Sequence, residues 1–211
     1  MADHSRLPAA SGIVLAGGRS SRFGRDKLME PIGGRPAVHL AILAVASACR
    51  QVIVVRAPGE AIELPGGVPV PVSVVHDERP YEGPLAGISA GLAAAAHPLA
   101  LVAGGDMPGM VHAVLLALLA AAEESGATAV ALRDGGHYRP LPHVVRRDAV
   151  VVADELLREG RRSLYDFLDA VEVAGLSEEV WRRVDPFART LGDIDVPGDR
   201  RGDAPDPGAG D

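Results

Sequence analysis

The stretch Gly12-Ile-Val-Leu-Ala-Gly-Gly-Arg-Ser-Ser-Arg-Phe-Gly-Arg-Asp-Lys27 decides how the rest of the chain is read. Gly12 to Ala16 is a short apolar run, read as a strand, and it breaks directly into Gly17-Gly18, the mark of a strand-to-loop junction. From Gly17 to Gly24 three glycines alternate with cations, and Arg25 and Lys27 follow. Glycine lets a backbone come close to a polyphosphate and offers its N–H groups as donors, while the cations offset phosphate charge. The spacing excludes two familiar phosphate loops. Gly18 and Gly24 are separated by five residues, and Leu28 stands where a P-loop needs Ser or Thr after its lysine. The Gly-x-Gly-x-x-Gly dinucleotide pattern is also absent here.

Working outward, Val52–Val55, Val72–Val75, Leu99–Ala103, Ala127–Leu132 and Leu141–Val145 are short apolar or β-branched runs, read as strands. Between them Pro36–Cys49, Pro84–Ala96, Val111–Glu124 and Asp148–Arg158 have helical spacing. Pro84 suits a first helical turn, Ser125-Gly126 closes the third helix, and Ser163 is placed to cap a helix over Leu164–Ala170. Ser177–Arg183 reads as a further short helix with an exposed charged face. Residues 1–10 and 199–211 read as disordered tails around a single domain over 11–198.

Strands alternating with helices predict an α/β fold: a Rossmann-like three-layer sandwich with a mostly parallel central sheet. Ligands of such sheets bind at the carboxyl ends of the strands. The loops after Ala16, Val75 and Ala103 would then share one edge and gather Gly17, Gly18, Arg22, Lys27, Asp77 and Asp106.

Bulk composition narrows the function. The chain has 211 residues, of which 47% are hydrophobic and only 3% aromatic, so the core is aliphatic. Its formal charge of −7 speaks against nucleic-acid or anionic-membrane partners. No apolar run reaches membrane-spanning length and residues 1–10 lack a signal-peptide core, so a cytoplasmic location is expected. The lone cysteine, Cys49, excludes an intrachain disulfide and reads as a small buried residue. Of the 21 Lys and Arg residues only Lys27 is lysine, which suggests a position that wants a compact ammonium rather than a planar guanidinium.

The order Leu15-Ala-Gly-Gly-x-Ser-x-Arg-Phe-Gly-x-Asp-Lys27 resembles the signature of nucleotidyltransferases of the molybdenum cofactor guanylyltransferase type. Gly83-Pro-Leu-Ala-Gly87, Gly105-Asp-Met-Pro108 and Asp193-Ile-Asp-Val-Pro197 resemble that family's later motifs, in the same order. The likeness runs over roughly residues 11–198. It implies the sheet of the nucleotide-diphospho-sugar transferases, and GMP transfer from GTP to molybdopterin-bound molybdenum with magnesium and release of pyrophosphate. Proteins that mature molybdoenzymes are further partners it implies.

Carried over by position, Leu15, Ala16, Gly17, Gly18, Lys27, Asp77, Gly83 and Asp106 would contact the nucleotide. Arg22 and Lys27 would offset charge on the leaving pyrophosphate, and Asp106, helped by Asp195, would hold magnesium. The resemblance departs at Val54-Val-Arg-Ala57, where the family places Asn near Val55; Arg56 could compensate for that contact to the nucleotide. His137, Arg139 and His143, around Pro140 and Pro142, read as a surface loop, with the second-substrate pocket as the other reading. Arg161 and Arg162 are either a solvated pair or a contact to the acceptor's phosphate. Two rival functions stay open: cytidylyl or other small-phosphate transfer on the same fold, and a nucleotide-binding module without catalysis.

Overall fold

The computed structural model describes residues 7–17, 27–77 and 83–193. Gly18, Arg22 and Asp195 lie outside the described residues. The strands are β1 (Ala10–Leu15), β2 (Pro31–Ile32), β3 (Arg35–Pro36), β4 (Gln51–Arg56), β5 (Val72–His76), β6 (Leu99–Gly104), β7 (Ala129–Asp134), β8 (His137–Arg146) and β9 (Val173–Leu176). The helices are α1 (Ala37–Ala48), α2 (Pro84–Ala94), α3 (His112–Ser125), α4 (Val150–Arg158), α5 (Leu164–Ala170) and α6 (Glu178–Trp181).

Seven strands form one sheet in the order β5-β4-β1-β6-β8-β7-β9, and β2 and β3 form a separate hairpin. β1 lies parallel to both β4 and β6, with Ile13 opposite Ile53 and Val102. β8 alone runs against its neighbours, β6 and β7. The expected mostly parallel α/β sheet is therefore found.

Period-two alternation sends Ile13 and Val14 to opposite faces. Val14 joins a core under α1 and α3, and Ile13 joins one under α2, α4 and α5. Both are fully buried, which explains why β1 reads as a continuous apolar run. A Cβ at Gly91 would lie 2.6 Å from Ile13 Cγ2, so α2 sits directly on β1. Truncating Ile13 to Ala would cost about 3 kcal/mol.

The helix ends follow the expected chemistry. Gly126 closes α3 at φ 68°. Ser163 caps α5, its hydroxyl accepting the Tyr165 N–H at 3.0 Å, and Asp166 completes a capping box. Cys49 follows α1 and is buried, which pushes its thiol up to about 12. Among the described residues no helix is long and apolar enough to cross a membrane.

One local reading is corrected, and two pairings are added. The surface loop expected around His137, Arg139 and His143 is part of a ten-residue strand. Pro140 and Pro142 fit because the β7–β8 register shifts between Ala131 and Arg133, where ladder donors are not required. β9 and the β2–β3 hairpin add pairing that the apolar runs do not announce. The strand Val173–Leu176 contains Gly175, and a Cβ there would meet Arg133 Cδ at 2.8 Å.

Candidate functional site

The carboxyl ends of β1, β4, β5 and β6 bring four chain segments to one edge. The Gly105 N–H donates to the Leu15 carbonyl at 2.9 Å, joining the loop after β6 to the end of β1. The Ala16 N–H donates to Val55 O at 2.8 Å, and the Asp77 N–H to Arg56 O at 3.0 Å. Leu15, Ala16, Gly17, Asp77 and Asp106 therefore share the expected edge. Gly17 sits against the segment after β4: a Cβ there would lie 3.1 Å from Ala57 N.

Lys27 opens a 3-10 turn, Lys27–Met29, whose Leu28 is buried. A Cβ on Gly105 would lie 3.1 Å from Leu28 Cδ2 and 3.3 Å from Val38 Cγ2. Lys27 and Asp106 thus flank a pair of residues that pack together.

The Asp106 carboxylate folds back over the end of β6, where a Cβ on Gly104 would fall 2.6 Å from Asp106 Oδ1. A side chain at 104 would have to displace that carboxylate. Among the described residues there is no group of three or more His, Cys, Asp or Glu side chains able to hold a metal. The Asp106 carboxylate fits magnesium, which takes one or two carboxylates and completes its shell with phosphate oxygens and water.

Gly83 precedes α2 at φ 92°, a conformation that favours glycine. A Cβ there would lie 3.0 Å from the Arg162 carbonyl, which also accepts the Leu85 N–H at 3.3 Å. The start of α2 is thereby pinned to the turn before α5. Arg161 donates from Nε and Nη2 to Asp166 Oδ1, at 3.2 and 3.0 Å, so its charge is engaged within α5.

The chain returns to the Asp106 loop near its end. The Val111 N–H donates to Thr190 Oγ1 at 3.1 Å, and a Cβ on Gly109 would meet the Arg189 carbonyl at 2.6 Å. Buried Asp185 holds this turn, accepting the Arg189 N–H at 3.0 Å and the Thr190 N–H at 2.7 Å. Burial opposes ionisation of Asp185, but these donors outweigh it and its pKa lies below the usual carboxylate value. The last described residue, Asp193, is two positions before Asp195.

Two residues behave unlike their sequence reading. His143 is fully buried; its Nδ1–H donates to Pro140 O at 2.7 Å and its Nε2 is buried without a partner. Burial lowers its pKa to about 4, against a smaller opposing effect of the Pro140 bond. It packs in the core against Phe167, with ring centroids 6.3 Å apart, and belongs to no surface loop. Arg56 ends an apolar strand and is only 6% exposed, yet its guanidinium reaches the Ala16 carbonyl at 2.6 Å. The sole sequence signal for it was a cation closing a β-branched run.

Residues 12–173 match the family model described as the MobA-like NTP transferase domain. The chain belongs to the MobA-like NTP transferase family. Within that family it is 36% identical, over 90% of each chain, to a probable molybdenum cofactor guanylyltransferase of Chloroflexus aggregans. Its fold is shared with molybdopterin-guanine dinucleotide biosynthesis protein A of Archaeoglobus fulgidus, at a TM-score of 0.73, 21% identity, and coverage of 89% of this chain and 93% of that one. The cytidylyltransferase for 2-C-methyl-D-erythritol 4-phosphate of Thermus thermophilus has the same fold at a TM-score of 0.61 and 18% identity, covering 88% of this chain and 92% of that one. The MobA-like match covers β1 through the start of β9, and so every described site segment except the turn at 185–193.

Proposed function

We propose that this protein transfers GMP from GTP to the terminal phosphate of molybdopterin-bound molybdenum cofactor, releasing pyrophosphate, with magnesium. The observation that carries the reading is the convergence of Leu15–Gly17, Lys27–Leu28 and Gly104–Asp106 at one sheet edge. Relatives named as guanylyltransferases, 36% identical to this chain, support the choice of donor and acceptor.

An oxygen of the acceptor phosphate attacks the α-phosphorus of GTP. A new P–O bond forms as the bond from the α-phosphorus to the bridging oxygen breaks, and pyrophosphate takes up that electron pair. The attacking phosphate is already ionised, so no side chain need act as base. The protein's work is positioning and offsetting charge. Backbone N–H groups of the glycine loop would donate to phosphate oxygens. Lys27, with Arg22, balances the charge that builds on pyrophosphate. Asp106, aided by Asp195, would hold magnesium, whose charge would offset that of the phosphates. Asp77 and Gly83 border the nucleoside, Gly83 by letting the backbone approach closely. Residues 11–198 act as one domain, in the cytoplasm, and the product passes to proteins that mature molybdoenzymes.

Thermal shift with GTP, CTP, UTP and ATP, each with magnesium, tests the donor, because a ligand that binds the folded state raises its stability. GTP should give the largest shift. Pyrophosphate release from GTP and the cofactor then tests the reaction. A CTP preference would turn the assignment to cytidylyl transfer, and binding without turnover would reduce the protein to a nucleotide-binding module.

A further inference from the structure

We propose that Arg56 is a positioning residue for the phosphate loop, fixing the direction of the Gly17 N–H by holding the carbonyl of Ala16. The inference rests on the reading of Ala16 and Gly17 as nucleotide contacts.

Arg56 Nη1 donates to Ala16 O at 2.6 Å, and its Nη2 lies 3.2 Å from Glu60 Oε2 and 3.4 Å from Ala61 O. The side chain is 7% exposed. The guanidinium therefore ties the first residue of the glycine loop to the segment following β4. A backbone bond from Ala16 N–H to Val55 O, at 2.8 Å, fixes the other side of the same residue.

The Ala16–Gly17 peptide is trans, the cis bond among the described residues being Leu141–Pro142. In a planar trans peptide the C=O and the following N–H point in opposite directions. Arresting the Ala16 carbonyl toward Arg56 thus turns the Gly17 N–H away from Arg56. Glycine at 17 has backbone freedom that would otherwise let this plane rotate. Its lack of a Cβ, which would stand 3.1 Å from Ala57 N, also lets the loop lie close enough for Arg56 to reach.

A second feature points the same way. Arg56 Nε is buried without a partner. A cation buried with an unmet donor is costly, and such groups concentrate where function requires them. Glu60 takes one edge of the guanidinium, which leaves Nη1 directed to the Ala16 carbonyl. A sequence with Asn at this turn could reach a base directly. This chain uses the position to brace the loop from below.

The test compares Arg56→Met, Arg56→Lys and Glu60→Gln with the wild-type chain, by GTP titration calorimetry with magnesium and by Tm without nucleotide. Arg56→Met should weaken GTP by about tenfold or more, the scale of one charge-assisted hydrogen bond. Arg56→Lys, which keeps a cationic donor, should recover part of that loss, and Glu60→Gln should stay within about twofold. A purely structural Arg56 would lower Tm in the variants and leave GTP affinity alone. If Arg56→Met does not fold, Arg56→Gln takes its place, since its amide is too short to span to Ala16. A folded Met or Gln variant that binds GTP as tightly as wild type overturns the proposal, as does a Glu60→Gln variant as weak as Arg56→Met. A wild-type chain that binds no nucleoside triphosphate overturns the site reading and this inference together.

Discussion

Leu28 packs on Gly105, its Cδ2 3.1 Å from where a Cβ of residue 105 would stand. Each of the two is the chain neighbour of a proposed phosphate or metal residue, Lys27 and Asp106. The Leu15 carbonyl would lie 3.2 Å from the same Cβ and accepts the Gly105 N–H at 2.9 Å, so the contact also involves the end of β1. A side chain at 105 would push the lysine turn away from the metal loop. Gly105→Val should therefore cost roughly 1–3 kcal/mol and lower nucleotidyl transfer by more than its Tm loss explains. Activity retained at equal folded fraction would show that the spacing of Lys27 and Asp106 is not critical.

Lys27 and Asp106 themselves separate binding from chemistry. Lys27→Ala should weaken GTP by about tenfold or more, the size of one hydrogen bond to a charged group, with little change in Tm. Lys27→Arg should recover little, because the planar guanidinium is a poor substitute for a compact ammonium. Asp106→Asn should keep the fold but lower pyrophosphate release by at least about a hundredfold, the scale of a preorganised electrostatic contact. Calorimetry and a pyrophosphate assay on the same preparations check both. Wild-type turnover in Asp106→Asn would remove the metal assignment.

Much of this was legible in the sequence because its signals are local. β1, β4 and β6 announce themselves as uninterrupted apolar runs, since both of their faces are covered. Gly17 and Asp106 fall on one edge because parallel strands leave their following loops on the same side, and the packing of Leu28 on Gly105 brings Lys27 to it. The partners of Arg56 and Asp185 were not legible, because they depend on tertiary contacts. Nothing in Val55-Arg56-Ala57 says that the guanidinium turns inward to Ala16. Nothing in Val184-Asp185-Pro186 says that the carboxylate organises a turn at 189–190. β8 was read short because Pro140 and Pro142 look like loop residues until the register shift opposite them is known.

His143 makes stability depend on pH. Its folded pKa is lowered from 6.5 to about 4, so the unfolded chain binds more protons between those values. Its contribution is complete above about pH 6.5 and is lost as pH falls toward 4. The loss approaches roughly 3 kcal/mol at full development. Urea midpoints should fall over this range in the wild type and fall less steeply in His143→Leu. Equal slopes in both proteins would mean that another group carries the acid sensitivity.

Gly83 joins the nucleotide side of the site to the turn before α5. At φ 92°, with a Cβ only 3.0 Å from the Arg162 carbonyl, alanine meets both a strained backbone and a backbone neighbour that cannot rotate aside. Gly83→Ala should destabilise by about 1–3 kcal/mol and break the Leu85 N–H bond to Arg162 O. Faster hydrogen exchange at Leu85, against unchanged exchange in β1, would report that break. Unchanged exchange at Leu85 would show that the turn moves with the helix.

Thr190 tests whether the end of the chain serves the metal loop. Its hydroxyl accepts the Val111 N–H at 3.1 Å, and Thr190 is fully buried. Thr190→Val preserves the shape and leaves that N–H without its acceptor, at a cost of about 1–3 kcal/mol. If the turn at 189–191 delivers Asp195 to the ion beside Asp106, loosening it should raise the magnesium concentration for half-maximal turnover severalfold. The GTP affinity measured without metal should stay near the wild-type value, because Ala16 and Gly17 follow β1 and not the 189–191 turn. Manganese titration followed by electron paramagnetic resonance reads the same change without turnover. A variant with lower Tm but wild-type metal dependence would confine Thr190 to stability and leave Asp106 as the one carboxylate the ion requires.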